Sequence, residues 1–219
     1  MEFETKILSK GIQEMLYNSD KTVGTAESCT GGRIAEALIS LPGASNYFKG
    51  GVVSYTNEVK ENLLGVSHEV LEEQTAVCEE VAREMVLGTI KTLNVDFAIS
   101  ATGVAGPTGG TPAIPVGTIY VGYGDKNDVR VVKLTEDFGR DINLAIATNT
   151  ALKGMLEFLK EHAEELKKDH RSIRSIRRPF PCNDGSPNVM PAKAKSLLQL
   201  KFQYQSVSYV IVLSSLTFR

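Results

Sequence analysis

Apolar positions along this chain fall into two kinds of run, some spaced as on a helix and some short and continuous, and the elements follow from them. Between Phe3 and Leu16, the residues Ile7, Leu8, Ile12, Met15 and Leu16 recur at helical spacing until Asn18, Ser19 and Asp20 end the pattern. Thr22 to Glu27 is short and β-leaning and runs through Ser28-Cys29-Thr30-Gly31-Gly32 into a helical stretch at Ile34 to Ile39, which predicts strand, turn and helix. Leu41 to Ser45 reads as a loop, Gly51 to Tyr55 as a strand, and Asn57 as the cap of a short helix reaching Leu64. His68 falls in a loop, after which Val81, Met85, Val86, Ile90 and Leu93 form one stripe of a helix from Glu79 to Leu93.

Val95 to Ala101 is apolar and bounded by turn formers, as a buried strand is, and Thr102 to Pro115 is a long loop rich in Gly, Pro and Thr. Val116 to Tyr123 and Val129 to Leu134 read as a hairpin turning at residues 124–128. Ile142, Ala145, Ile146, Asn149, Leu152, Leu156 and Leu159 then line one helix face. Strands alternating with helices, closed by a late hairpin, predict an α/β layered fold with a mixed, mostly parallel sheet flanked by helices.

The pattern stops near Glu165, dividing the chain into a domain at 1–165 and a tail at 166–219, expected to be poorly ordered or adventitious; a docking arm or basic anchor is the alternative. Charge divides at the same place. Residues 1–165 hold 14 Lys and Arg against 24 Asp and Glu, and residues 166–219 hold 10 against 2, so a net charge of −2 conceals an acidic body. Such a body argues against duplex nucleic acid as a partner. With 42% hydrophobic and 23% charged residues, wholesale disorder and fibrous classes are excluded. Three cysteines without a CxxC pair favour neither a disulfide framework nor a zinc site, and a reducing cytoplasm is expected. The N-terminus lacks a signal-peptide pattern and no apolar run is long enough to span a bilayer, so neither secretion nor a membrane is expected.

Three polar clusters fall at predicted strand ends, where open α/β sheets gather ligands. Thr25 to Gly32 puts hydroxyls and a thiol on a strand-to-helix turn, which suits a nucleophile beside backbone N–H donors, or simply an N-capped helix. Ser54 to Lys60 offers a lysine that works as a base when desolvated and is otherwise a solvated side chain. Ser100 to Gly110 ends a strand in a glycine-rich loop able to cradle phosphate, yet it has neither the P-loop ending nor GxGxxG spacing. The body has only His68 and His162, both away from these clusters, which disfavours a Ser-His-Asp triad and a histidine metal site. Serine with lysine is the best nucleophile and base pair available, and Cys29 is the rival nucleophile.

TAESCTGG at 25–32, LPGASNYFKGGVVSYTNEVKENLLGV at 41–66, ATGVAGPTGG at 101–110 and PVGTIYVGY at 115–123 together resemble the CinA C-terminal-domain family, from about Ile7 to His162. The resemblance implies a nicotinamide-nucleotide amidase that converts nicotinamide mononucleotide to nicotinate mononucleotide and ammonia without a cofactor or metal. It implies Ser28 as nucleophile, Lys60 as its base, and Tyr55, Ser45, Thr102 and Arg140 in binding or catalysis. Thr30, Gly31 and Gly32 are inferred to be oxyanion or phosphate contacts, with Gly103 and Gly106 in the phosphate-facing loop. The chain resembles the stand-alone form of the family, so ADP-ribose hydrolysis by the larger members is not expected of it. Apolar helix faces and the family habit imply a homo-oligomer. Two other functions remain open: a nucleotide-binding regulatory module without hydrolysis, and an amidase for another small carboxamide.

Overall fold

The computed structural model describes residues 2–164. Five strands, β1 (Val23–Glu27), β2 (Phe48–Val53), β3 (Phe97–Gly103), β4 (Ile119–Gly124) and β5 (Val129–Leu134), form one sheet in the order β2-β1-β3-β4-β5. β2, β1 and β3 are parallel, and β4 and β5 are antiparallel, as a late hairpin requires. The fold is α/β with a mixed sheet in which parallel and antiparallel ladders are equal in number. Six helices cover it: α1 (Glu2–Leu16), α2 (Arg33–Ile39), α3 (Asn57–Leu64), α4 (His68–Gln74), α5 (Glu79–Leu93) and α6 (Arg140–Glu161).

The helices lie on both faces of the sheet. α1, α2 and α6 bury Ile12, Leu38, Leu152 and Phe158 against Ile99 and Val121, while α3, α4 and α5 bury Leu64, Leu71, Val81 and Met85 against Ala26. Covered on both sides, β1 (VGTAE) and β3 (FAISATG) are buried almost throughout and show no polar alternation. One contact matters for the site. Gly88, inside α5, lies so close to α3 that a Cβ there would collide with the Leu64 carbonyl oxygen, and Thr92 Oγ1 donates to Leu63 O at 2.7 Å. An interior glycine weakens a helix by about 1 kcal/mol; here it lets α3, which carries Lys60, seat against α5.

Several boundaries depart from the sequence reading. His68 starts α4 instead of lying in a loop; that helix has seven residues, too few to declare a period, and Ser67 caps it by accepting from the Val70 amide. The cap of α3 is Thr56, not Asn57, its Oγ1 accepting from the Val59 amide at 3.4 Å. β2 ends at Val53, so Tyr55 lies beyond it. β4 begins at Ile119 because Gly117, at φ +91°, holds the preceding residues in the loop by donating to Val104 O at 2.8 Å. The tail at 166–219 lies outside the described residues. Among the described residues no helix is long and apolar enough to cross a membrane.

Candidate active site

Register brings the three clusters together. Glu27 pairs with Val53 on one side and Ala101 on the other, so the C-terminal ends of β2, β1 and β3 stand side by side. The chain continues this alignment one residue further. The Ser28 amide donates to Ala101 O at 2.9 Å and the Ser54 amide to Glu27 O at 2.8 Å. Ser28 therefore leaves β1 between the Ser54–Lys60 segment and the loop that follows β3.

Lys60 crosses this junction. Its Nζ donates to Ser28 Oγ at 3.1 Å and to Ser54 O at 2.7 Å. The lysine is 1% exposed, which rejects its reading as a solvated surface side chain, and Ser28 is 9% exposed. Burial lowers the Lys60 ammonium from 10.5 to about 8, against a small opposing effect of Cys29. At pH 7 roughly one molecule in ten then carries the neutral amine, compared with one in several thousand for a solvated lysine. Cys29, the rival nucleophile, is pushed the other way: burial raises its thiol to about 12 and keeps it protonated.

Glu27 is a site residue that the sequence reading passed over. Its carboxylate is buried and accepts three amides of the following turn, Gly32 at 2.9 Å and Ile34 at 3.1 Å on Oε2, and Ala35 at 2.8 Å on Oε1. The turn passes through Gly31 at φ +61° and Gly32 at φ +107°, conformations that glycine adopts without strain. The start of α2 is thus already filled by an internal anion, and the Gly32 amide is not free for substrate. The amides of Cys29, Thr30 and Gly31 make no backbone hydrogen bond, and the Thr30 hydroxyl is buried without a partner. The amides of Cys29 and Thr30 face the Cys29 sulfur, which leaves the Gly31 amide as the turn's donor without a partner. Glu27→Gln replaces one acceptor oxygen by an N–H group facing N–H groups. It is expected to lose roughly 1–3 kcal/mol of stability, measured by urea unfolding at pH 7; an unchanged midpoint would remove Glu27 as the clamp of this turn.

The loop after β3 is tied to α6. Arg140 Nη1 donates to Gly106 O at 2.8 Å, and Asn143, also absent from the sequence reading, donates to Ala105 O at 3.1 Å and accepts from the Phe138 amide. Arg140 is exposed beyond that bond. Thr102 is buried, its hydroxyl donating to Ala76 O at 2.6 Å, and Gly103 closes β3 opposite Ile119. Tyr55 sits on the rim, 65% exposed. Ser45 is not brought to this site by its own chain. It lies in a 3-10 turn at Ala44–Asn46 before β2, and Phe48 pairs with Val23, so it is at the opposite end of the strands, about 15 Å away along them. His68 pairs with Glu61 at 3.0 Å and His162 stacks on Phe158; neither bonds to Ser28 or Lys60. A cavity of about 300 Å³ lined by Ile119, Leu134, Phe138, Asn143 and Ile146 is separate from the pair and contains neither residue. Among the described residues no cluster of three His, Cys, Asp or Glu side chains is placed to hold a metal ion.

The chain that carries this buried serine and lysine is similar to several known proteins. A CinA-like protein of Leptospira borgpetersenii is 50% identical over 117 residues, covering 53% of this chain and 28% of the relative. One from Endomicrobium trichonymphae is 43% identical over 150 residues, covering 68% and 35%. The chain spans about a third of the length of these curated relatives. Among solved structures, a competence/damage inducible protein of Agrobacterium tumefaciens matches with TM-score 0.69 and 34% identity over 72% of this chain and 96% of that one. A CinA superfamily protein of Escherichia coli matches with TM-score 0.66 and 31% identity over 70% and 90%. The family model of the CinA C-terminal domain matches residues 5–159, the span that contains every element of the sheet and the Ser28–Lys60 pair, and the chain belongs to that family.

Proposed function

We propose that this chain is a serine amidohydrolase that converts nicotinamide mononucleotide to nicotinate mononucleotide and ammonia, a step of pyridine-nucleotide recycling. The observation that carries the reading is the 3.1 Å contact between Ser28 Oγ and a buried lysine whose ammonium is lowered to about 8. A neutral Lys60 takes the Ser28 proton as the oxygen adds to the carboxamide carbon, and the carbonyl electrons move onto oxygen. The Gly31 amide and the Thr30 hydroxyl are the donors left to receive that oxyanion. Lys60 returns the proton to the departing nitrogen, ammonia leaves, and a water activated by the same amine releases the acid from Ser28. Lysine rather than histidine holds the proton throughout, and no step needs a metal.

Arg140 is proposed to read the nucleotide phosphate, its guanidinium anchored at one N–H by Gly106 and exposed at the others. Thr102 and Gly103, at the end of β3, lead into that loop, and Tyr55, exposed just before α3, is proposed to contact the substrate. For Ser45 to touch the same substrate it has to come from a second copy of the chain, the form in which the homo-oligomer expectation is retained. Arg140→Ala is expected to raise KM for nicotinamide mononucleotide at least about tenfold with kcat within a few-fold, as loss of one charge-assisted contact does. Nicotinamide riboside should be a poor substrate for the parent enzyme. Equal turnover of riboside and mononucleotide would point to an amidase for a different carboxamide, and saturable nucleotide binding without ammonia release to a regulatory module.

A further inference from the structure

Beside the Ser28–Lys60 pair lies a hydroxyl with nothing to bond to. Ser54 is fully buried and its Oγ has no hydrogen-bond partner. Burying an unpaired hydroxyl is unfavourable, so the residue type at this position calls for a reason. Ser54 continues the β1–β2 alignment and stands next to Ser28 as Val53 stands next to Glu27. Its own carbonyl is the 2.7 Å acceptor of Lys60 Nζ. The hydroxyl, on the same residue, is confined to the neighbourhood of that nitrogen.

An ammonium has three N–H donors. At Lys60, Ser28 Oγ and Ser54 O take two, which leaves one without an acceptor in a site that excludes water from the lysine. We propose that the Ser54 hydroxyl, by rotation about Cα–Cβ, accepts this third N–H when Lys60 takes the Ser28 proton, making Ser54 a positioning residue for the base. The kinetic consequence rests on the amidase reading above; the geometry does not. In the step, the Ser28 O–H bond breaks, an N–H bond forms at Lys60, and the Ser28 oxygen bonds to the carboxamide carbon while the carbonyl pair moves onto oxygen. Positive charge on Nζ is then shared with Ser54 Oγ until the proton passes to the leaving nitrogen.

Other charges near Lys60 are accounted for. Cys29 stays a neutral thiol, Glu27 turns its carboxylate to α2 on the other face of the sheet, and on α5 Arg83 and Glu84 are engaged by the Val129 carbonyl and the Ser67 amide. The test compares the parent protein with Ser54→Ala, Ser54→Gly and Ser54→Thr. Lys60 is followed by NMR of lysine-labelled protein, its signal identified by its absence in Lys60→Met, and ammonia release is measured in parallel. Removal of the hydroxyl should lower the Lys60 titration midpoint by about one unit and, at pH 9.5 where Lys60 is neutral in parent and variant alike, lower kcat up to about tenfold with KM within twofold, because the charged form loses an acceptor. Ser54→Thr, which keeps the hydroxyl, should restore both. An unchanged midpoint in Ser54→Ala or Ser54→Gly would overturn the proposal whatever the activity, as would a threonine variant that behaves like alanine. A lowered midpoint in a protein that releases no ammonia would leave Ser54 as the partner of Lys60 and sink the amidase reading instead.

Discussion

Ser28→Ala is expected to reduce ammonia release by at least about 10³ in kcat, the range seen when the nucleophile of a covalent mechanism is removed. The fold should survive. Ser28 is held by its backbone, through the amide bond to Ala101 O, and Lys60 keeps its bond to Ser54 O when the hydroxyl is gone. Cys29 offers no bypass, since burial keeps its thiol protonated. The substrate contacts proposed for Arg140 and the 102–106 loop are untouched, so affinity for nicotinamide mononucleotide should stay within a few-fold. Loss of turnover with retained binding is the signature to look for, read by ammonia assay and calorimetric titration on the same preparation. A variant that lost both would place Ser28 in the structure of the turn and not in the chemistry.

Lys60→Met is expected to abolish activity and, at neutral pH, to leave the protein at least as stable as the parent. The lysine's ammonium is lowered to about 8 in the folded chain from 10.5. Between those values the unfolded chain holds a proton that the folded chain does not, so the parent's stability rises with pH across this window. Below about pH 8 both states are protonated, and the fold carries the full cost of a buried ammonium, about 3 kcal/mol. Methionine removes that cost but leaves the Ser54 carbonyl without its donor, a loss of roughly 1–3 kcal/mol. The difference between variant and parent should therefore move against the variant by about 3 kcal/mol between pH 7 and pH 10.5, as urea unfolding at the two pH values would measure. Parallel stability curves would mean that Lys60 titrates as an ordinary surface lysine. Activity and stability pull in opposite directions at this residue, as is common where a buried charge does chemistry.

Much of this architecture was legible in the chain because local signals were strong. α5 coincides with its predicted span, Glu79–Leu93, since a five-residue apolar stripe marks its inner face, and β5 coincides with Val129–Leu134 because turn formers bound it. α4 was not legible, as a seven-residue helix with two adjacent apolar residues, Val70 and Leu71, has no period to detect. β2 was placed two residues late at its C-terminal end because Tyr55 is a strong strand former. Its register is fixed instead by pairing of β1 with residues 48–53, which no local pattern encodes.

The candidate site was readable to a different degree. Lys60 looked like a solvated side chain; its burial arises from the seating of α3 on α5, where Gly88 meets Leu64, 24 residues away in the chain. The lack of a histidine near the strand ends made it the best base available, and the resemblance of YTNEVK to the family's motif assigned it that role. Glu27 did carry a local signal, an acidic residue at the end of a strand just before a Gly-Gly turn and a helix lacking an N-cap hydroxyl, and that combination identifies a carboxylate reaching forward to cap the helix. Ser54 and Asn143 carried none, because their partners, Lys60 and the Ala105 carbonyl, are brought to them by tertiary packing.

The central claim is that Ser28 and Lys60 act as one nucleophile and base on a nucleotide carboxamide. It is tested most directly by ammonia release from nicotinamide mononucleotide between pH 6 and pH 10, with parent protein and Ser28→Ala side by side. The parent's rate should rise with pH through about 8, as Lys60 becomes neutral, and Ser28→Ala should be flat at background throughout. A folded parent that releases no ammonia at any pH, or a Ser28→Ala variant that keeps the parent's rate, would contradict the account.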